Sequence, residues 1–261
     1  MTDKRLLLAW GLVALAAPAR ADVWDTATNN DNSATTYSWL IHGTDESHDL
    51  GALPGPLPDQ DWYRMPQAPY SSYEVVVEGF TGDVNNPVPP VMERIASDGT
   101  TVVQTAATVL GTSPLTLSWQ NEAGAYRDDF VLVRDASCLL TCTSDDQYRI
   151  RAYETTYALP RFNNSASQVT VLILQNPAEY FLQGRAWFWS ATGTPLGDQV
   201  FSLGPKAALV LPTANVPGVS GQSGTITITH TGRYGDLTGK SVAVEPATGF
   251  SFDTPLVPRL R

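Results

Sequence analysis

The stretch Tyr73-Glu74-Val75-Val76-Val77-Glu78 decides the fold class. It is a β-branched and aromatic run that stops at Gly79, with the turn formers Gly82, Asp83, Asn85, Asn86 and Pro87 after it. The same grammar extends outward in both directions. Met92 to Ala96, Thr101 to Thr105, Leu115 to Trp119, Phe130 to Val133 and Tyr148 to Tyr153 all read as strands, and Asp98-Gly99 between two of them signals a type I′ hairpin. Leu115-Thr116-Leu117-Ser118-Trp119 and Tyr148-Arg149-Ile150-Arg151-Ala152 alternate apolar with polar side chains, as a sheet with one wet face requires.

The pattern restarts near Ala158-Leu159-Pro160-Arg161, which reads as a short Pro-containing linker. Beyond it, Val169 to Leu174, Gly184 to Trp189, Phe201 to Leu203, Ala208 to Leu211, Thr225 to Thr229, Ser241 to Val244 and Ser251 to Phe252 are further strands. The expected architecture is all-β: two β-sandwich domains, jelly-roll or Ig-like, in tandem over residues 22–157 and 158–261, after a cleaved signal peptide at 1–21.

That leading segment has the tripartite form of an export signal. Lys4 and Arg5 supply the positive end, Leu6 to Ala17 the apolar stretch, and Ala19-Arg20-Ala21 the cleavage site. The apolar stretch is shorter than the roughly 20 residues that span a bilayer, and no second one follows, so no membrane span is expected in the mature chain. The chain carries a net charge of -10; the signal removes Lys4, Arg5 and Arg20 against Asp3, leaving -12. With 16% charged residues, it has neither the charge patterning of a coiled coil nor the basic character of a nucleic-acid binder. Export to the periplasm or outside the cell makes Cys138 and Cys142, in Cys138-Leu139-Leu140-Thr141-Cys142, a structural disulfide; a zinc site would need two more ligands.

Motif searches for chemistry are mostly negative. No G-x-S-x-G, HExxH, P-loop or dinucleotide fingerprint occurs. Two strands carry more apolar surface than one sandwich core can hold. In Val169-Thr170-Val171-Leu172-Ile173-Leu174 both faces are apolar, and in Ala186-Trp187-Phe188-Trp189 the tryptophans lie opposite Phe188. Domain packing covers such faces in one reading; in the other, Trp187 and Trp189 form a platform for sugar rings or a partner. His230 and Arg233, with Asp236, mark a second candidate ligand site, or the centre of a dispersed hydrolase site. Asp25, Asp31, Asp59 and Asp61 are hard oxygen ligands that suit calcium, the one candidate cofactor; His42 to Asp49 reads as a solvated loop.

Asp59-Gln60-Asp61-Trp62-Tyr63-Arg64, Tyr73-Glu74-Val75-Val76-Val77, Ala96-Ser97-Asp98-Gly99-Thr100 and Tyr148-Arg149-Ile150-Arg151-Ala152 together resemble the bacterial pre-peptidase C-terminal domain. The resemblance covers Asp25 to Tyr157 and implies a jelly-roll sandwich of the kind appended to secreted enzymes, some relatives of which bind calcium or extracellular polymers. The chain departs from that pattern in its Asn85 to Pro90 loop, the cysteine insertion and the lack of an attached peptidase. The second half, from Gly224-Thr225-Ile226-Thr227-Ile228-Thr229-His230 to Asp253-Thr254-Pro255, resembles a tail of uncharacterised secreted bacterial proteins. The expected function is a secreted, non-catalytic binding or adhesion module for a polysaccharide or an envelope protein. A hydrolase centred on His230 and a structural subunit of a surface assembly are the alternatives.

Overall fold

The structure, a computed structural model, describes residues 32–51, 59–84, 90–107, 114–135, 138, 142–165 and 167–260. The signal segment, Asp25 and Asp31 lie outside the described residues. The chain is all-β. Its first half forms β1 (Thr44–Asp49), β2 (Gln60–Gln67), β3 (Ser71–Glu78), β4 (Val91–Ile95), β5 (Val102–Ala107), β6 (Leu115–Asn121), β7 (Arg127–Arg134) and β8 (Gln147–Glu154). The second forms β9 (Tyr157–Asn163), β10 (Val169–Gln175), β11 (Leu182–Ser190), β12 (Pro195–Leu203), β13 (Ala208–Pro212), β14 (Ser223–His230), β15 (Thr238–Glu245), β16 (Phe250–Pro255) and β17 (Val257–Pro258).

Four antiparallel sheets result. The orders β1-β8-β3-β6 and β2-β7-β4-β5 make the first sandwich, and β12-β11-β14-β9-β17 and β13-β10-β15-β16 the second. Register follows from the alternation: Tyr73, Val75 and Val77 of β3 stand opposite Trp119, Leu117 and Leu115 of β6, and all six are buried. With Ile150 and Ala152 of β8 they face Tyr63, Met65, Met92, Val131 and Val133 across the sandwich. Cys138 and Cys142 are disulfide-bonded and buried against this core. The second core joins Leu159, Phe162, Leu172, Leu174, Phe188, Ile226 and Ile228.

Several local expectations change. Ala158 to Arg161 is not a linker but part of β9, and only Thr155 and Thr156 separate β8 from β9. Pro160 is tolerated because the β9/β14 register shifts between Gly224 and Ile226, and at that irregularity the missing N–H costs no ladder bond. The Asp98-Gly99 turn is longer than a two-residue type I′ hairpin. It closes where the Ala96 N–H donates to the Thr101 carbonyl at 2.8 Å, only Gly99 has positive φ (72°), and Asp98 Oδ1 accepts the Thr100 and Thr101 N–H groups. The His42 to Asp49 stretch, expected as a loop, contributes β1, paired along its whole length with β8. Asp45 takes an outward position, its carboxylate pairing with Arg149, while His48 is buried against Tyr63 and Tyr148.

The doubly apolar strand is β10. Thr170, Leu172 and Leu174 are buried in the core, while Val169, Val171 and Ile173 face outward beside Val244, Val242 and Val210 and stay half-exposed. The expectation that both faces are covered therefore fails for the outer one among the described residues. The two faces predict opposite mutational outcomes. Leu172→Ala, which opens a cavity, is expected to cost about 2–5 kcal/mol in urea denaturation. Val171→Thr on the outer face is expected to change stability by no more than about 0.5 kcal/mol. Equal losses from both would place a cover on the valine face.

Candidate functional site at the domain junction

The two sandwiches meet through the outer face of the β12-β11-β14-β9-β17 sheet. On that face Arg185, Trp187 and Trp189 of β11 stand opposite Thr229, Thr227 and Thr225 of β14, and Phe188 points into the core. Tyr70, in the β2–β3 turn of the first sandwich, places its ring 4.8 Å from both tryptophan rings. The Arg185 guanidinium lies 4.9 Å from the Trp187 ring centre and pairs with Glu122 of the first sandwich and Asp198 of the second. Thr229 Oγ1 donates to Gln120 Oε1 at 2.7 Å. Trp187 and Trp189 are thus half-buried packing surface between sandwiches, and of the two sequence readings the geometry gives domain packing.

Tyr70 holds this position at a conformational cost. Its φ is +53°, a region that non-glycine residues adopt at a penalty of about 1 kcal/mol or more. Its hydroxyl would lie 2.7 Å from a Cβ at position 124, where the chain has glycine. The aromatic contacts, each contributing about 0.5–1.5 kcal/mol beyond area burial, offset that strain.

Beside the junction is a cleft of about 240 Å³ with walls from both sandwiches. Its floor is the outer face of the β1-β8-β3-β6 sheet, where Glu74, Val76 and Glu78 of β3 stand opposite Tyr153, Arg151 and Arg149 of β8. Its far wall is the β14–β15 loop, which contributes Arg233, Tyr234 and Asp236. The Arg151 guanidinium pairs with Glu78 at 2.5 Å, and the Tyr234 N–H donates to the buried Glu74 carboxylate at 2.8 Å. The Tyr153 and Tyr234 rings lie 5.3 Å apart, tilted by 43°. Asp236 Oδ2 accepts the Arg233 N–H at 2.9 Å and the Tyr180 hydroxyl; desolvation first, then that hydrogen bond, pushes the Tyr180 phenol up to about 12. The hydroxyl of Thr116 and Nε of Arg151 border the cleft without protein hydrogen-bond partners.

The structure thus brings Arg233 and Asp236 into one site, but not His230. His230 is fully buried on the core side of β14, its Nδ1 accepting the Gly232 N–H at 3.0 Å and its ring packed 5.5 Å from Tyr157. Desolvation holds its pKa down at about 4, against smaller opposite pulls from the Thr155 backbone and Asp236. An imidazole so placed is a structural group with no surface in the cleft.

The described members of the acidic quartet are also buried. Asp59 accepts the Gln60 N–H at 2.9 Å, and Asp61 accepts the Tyr148 hydroxyl at 2.5 Å, which also bonds the Tyr63 hydroxyl at 2.5 Å. Burial and then the Asp61 charge raise the Tyr148 phenol well above its ordinary value. Among the described residues no group of three or more His, Cys, Asp or Glu side chains could hold a metal ion; Asp25 and Asp31, the other members of the quartet, lie outside them. Also among them, no helix is long and apolar enough to cross a membrane.

Sequence reading missed Glu74, Glu78, Arg151 and Tyr153. The alternation of charge in β3 and β8 marks their wet faces, but the partner strand and the covering loop are set only by tertiary pairing.

No family model and no curated protein matches the chain. Among solved structures it is similar to a protein of Eubacterium rectale described as secreted, at 10% identity over 88% of this chain and 82% of that one, with a TM-score of 0.30. It is similar also to a β-glucuronidase of Bacteroides uniformis, at 10% identity over 77% of this chain and 26% of that one, TM-score 0.21. A third likeness is to a glycosyl hydrolase family 2 member of Bacteroides cellulosilyticus, at 8% identity over 81% and 30%, TM-score 0.23. The chain spans less than a third of the length of either enzyme.

His230 makes the fold pH-dependent with a definite sign. Its folded pKa, about 4, lies below the ordinary imidazole value, so between them the unfolded chain binds the extra proton. The full contribution is present above about pH 6.5 and is lost as pH falls toward 4, an effect of order 3 kcal/mol. Urea midpoints measured from pH 7.5 to 4 should fall in the wild type and fall less in His230→Gln. Parallel slopes in the two would exclude His230 as the cause.

Proposed function

We propose that the chain is an exported, non-catalytic binding module that takes a hydroxyl-rich segment of an extracellular polysaccharide in the cleft between its two sandwiches. The observation that carries this reading is the joining of Arg233 and Asp236 from one sandwich with Glu74, Glu78 and Arg151 from the other around a concave, tyrosine-walled surface. Small-molecule and sugar sites combine such concavity with a few fixed polar groups that set orientation. Three carboxylates against two guanidinium groups leave the cleft near charge balance, while the chain as a whole, at -10, repels anionic polymers. A neutral polymer fits both facts. The buried Cys138–Cys142 disulfide supports an oxidising compartment and hence export. Calcium has no part in the cleft under this reading.

A glycan array, followed by calorimetry on any hit, tests the proposal. Arg233→Ala and Tyr234→Ala are expected to weaken binding roughly 10-fold or more, the loss of one or two hydrogen bonds or ring contacts. Trp187→Ala is expected to lower stability through the junction while leaving intrinsic affinity within about threefold. Binding should be unchanged by EDTA. No binding by the wild type, or loss on Trp187→Ala with Arg233→Ala unaffected, would move the site out of the cleft.

A further inference from the structure

Residues 36–41 run parallel to β2 along the edge of the β2-β7-β4-β5 sheet. The Thr36 hydroxyl donates to the Trp62 carbonyl, the Arg64 N–H to the Ser38 carbonyl at 2.8 Å and the Leu40 N–H to the Arg64 carbonyl at 2.9 Å, with Trp39 bridged to Arg64. Extended chain alternates its faces, so Thr36, Ser38 and Leu40 are buried while Tyr37, Trp39 and Ile41 are 82%, 47% and 57% exposed. Backbone bonds thus hold three large side chains in a strip that the core does not use.

The polar groups beside the strip decide what it fits. Arg64 faces outward from β2, since Tyr63 and Met65 on either side of it are core residues. Its guanidinium lies 5.1 Å from the Trp39 ring centre and 5.6 Å from that of Phe130, backing one face of the indole. Its Nε has no protein hydrogen-bond partner, and it forms no ion pair among the described residues. In the β2/β7 register Phe130 stands opposite Arg64 and Asp128 opposite Pro66, so Asp128 is a diagonal neighbour of Arg64 on the same outer face. Its carboxylate also has no hydrogen bond or ion pair among the described residues. Free donors and a free acceptor therefore flank exposed rings, and their charges cancel. An anionic ligand drawn to Arg64 is opposed by Asp128, and a purely apolar partner would desolvate both without compensation. Ring hydroxyls both donate and accept, and the C–H face of a sugar ring lies flat on aromatic side chains.

We propose that Tyr37, Trp39 and Ile41, with Arg64 and Asp128, form a second saccharide site, a platform for pyranose rings of a neutral polysaccharide. It belongs to the sheet of the first sandwich opposite the one that floors the cleft, so the two sites are separate. The inference goes beyond the cleft reading and does not rest on it, because the platform's own groups select the ligand class.

NMR titration of the protein with cellohexaose, mannohexaose and xylohexaose, and with polygalacturonate as the anionic comparison, tests it. The Trp39 indole N–H and the Tyr37 and Ile41 amides report the platform; the Tyr234 amide reports the cleft. At least one neutral hexasaccharide is expected to shift the platform signals saturably, and polygalacturonate to leave them in place. Tyr37→Ala and Trp39→Ala are each expected to weaken that binding roughly fivefold or more while the Tyr234 response keeps its midpoint. Tyr37 makes no ring contact among the described residues, so its variant separates lost stacking from lost folding. Platform signals that no neutral hexasaccharide moves, equal shifts with polygalacturonate, or an affinity unchanged in both variants would overturn the proposal. So would sedimentation that finds a wild-type dimer dissociated by Trp39→Ala, which would assign the strip to a second copy of the chain. Movement of Tyr234 without Trp39 removes the platform and keeps the cleft; movement of Trp39 without Tyr234 does the reverse.

Discussion

A two-layer sandwich buries one face of each strand, and the sequence of β11 puts aromatic rings on both of its faces. Phe188 fills the second core, so Trp187 and Trp189 must find cover outside it. Tyr70 provides that cover from the first sandwich, in a backbone conformation that only a well-packed ring would repay. Arg185, bonded to Glu122 and Asp198 and lying over Trp187, closes the contact from the side. With only Thr155 and Thr156 between β8 and β9, the sandwiches have little freedom to part. Domain orientation thus follows from the unsatisfied face of a single strand.

The sequence was most readable where one periodicity acted alone. β6 and β8 alternate because one face is core and the other more open, and β3, which the second sandwich buries on its outer face too, pairs with both in the register its core residues require. It was least readable where a polar strand looks like a loop. β1 contains Asp45, Glu46, His48 and Asp49, a composition that suggests metal or solvent; its strand state comes from eight-stranded tertiary context, chiefly the ladder with β8. Pro160 misled in the same way, since its compatibility with β9 depends on an irregularity in β14 more than sixty positions away. β10 and β11 show the limit of local pattern from the other side. Both are apolar on two faces, yet one outer face is covered by another domain and the other stays half-exposed, a difference no local window contains.

The candidate site was half legible. Arg233 and Asp236 stand out among the Gly-rich turns of the second half, but the signal that drew them together with His230 was proximity in sequence. In space the strand alternation separates them: His230 is the last inward residue of β14, and the loop that follows turns outward over the first sandwich. The residues they meet, Glu74, Glu78 and Arg151, are outer-face positions of β3 and β8. They gain a role only because the second sandwich docks above them.

That origin links recognition to domain orientation. The cleft floor belongs to one sandwich and its wall to the other, so any ligand that touches both stabilises the docked arrangement over looser ones by mass action. The Tyr70 contacts and the Tyr234–Glu74 hydrogen bond act in the same direction without ligand. The more strongly they hold, the less ordering a ligand must impose and the more of its contact energy appears as affinity. Specificity then resides less in any single side chain than in the distance between Arg151 on the floor and Arg233 on the wall, a distance the junction sets.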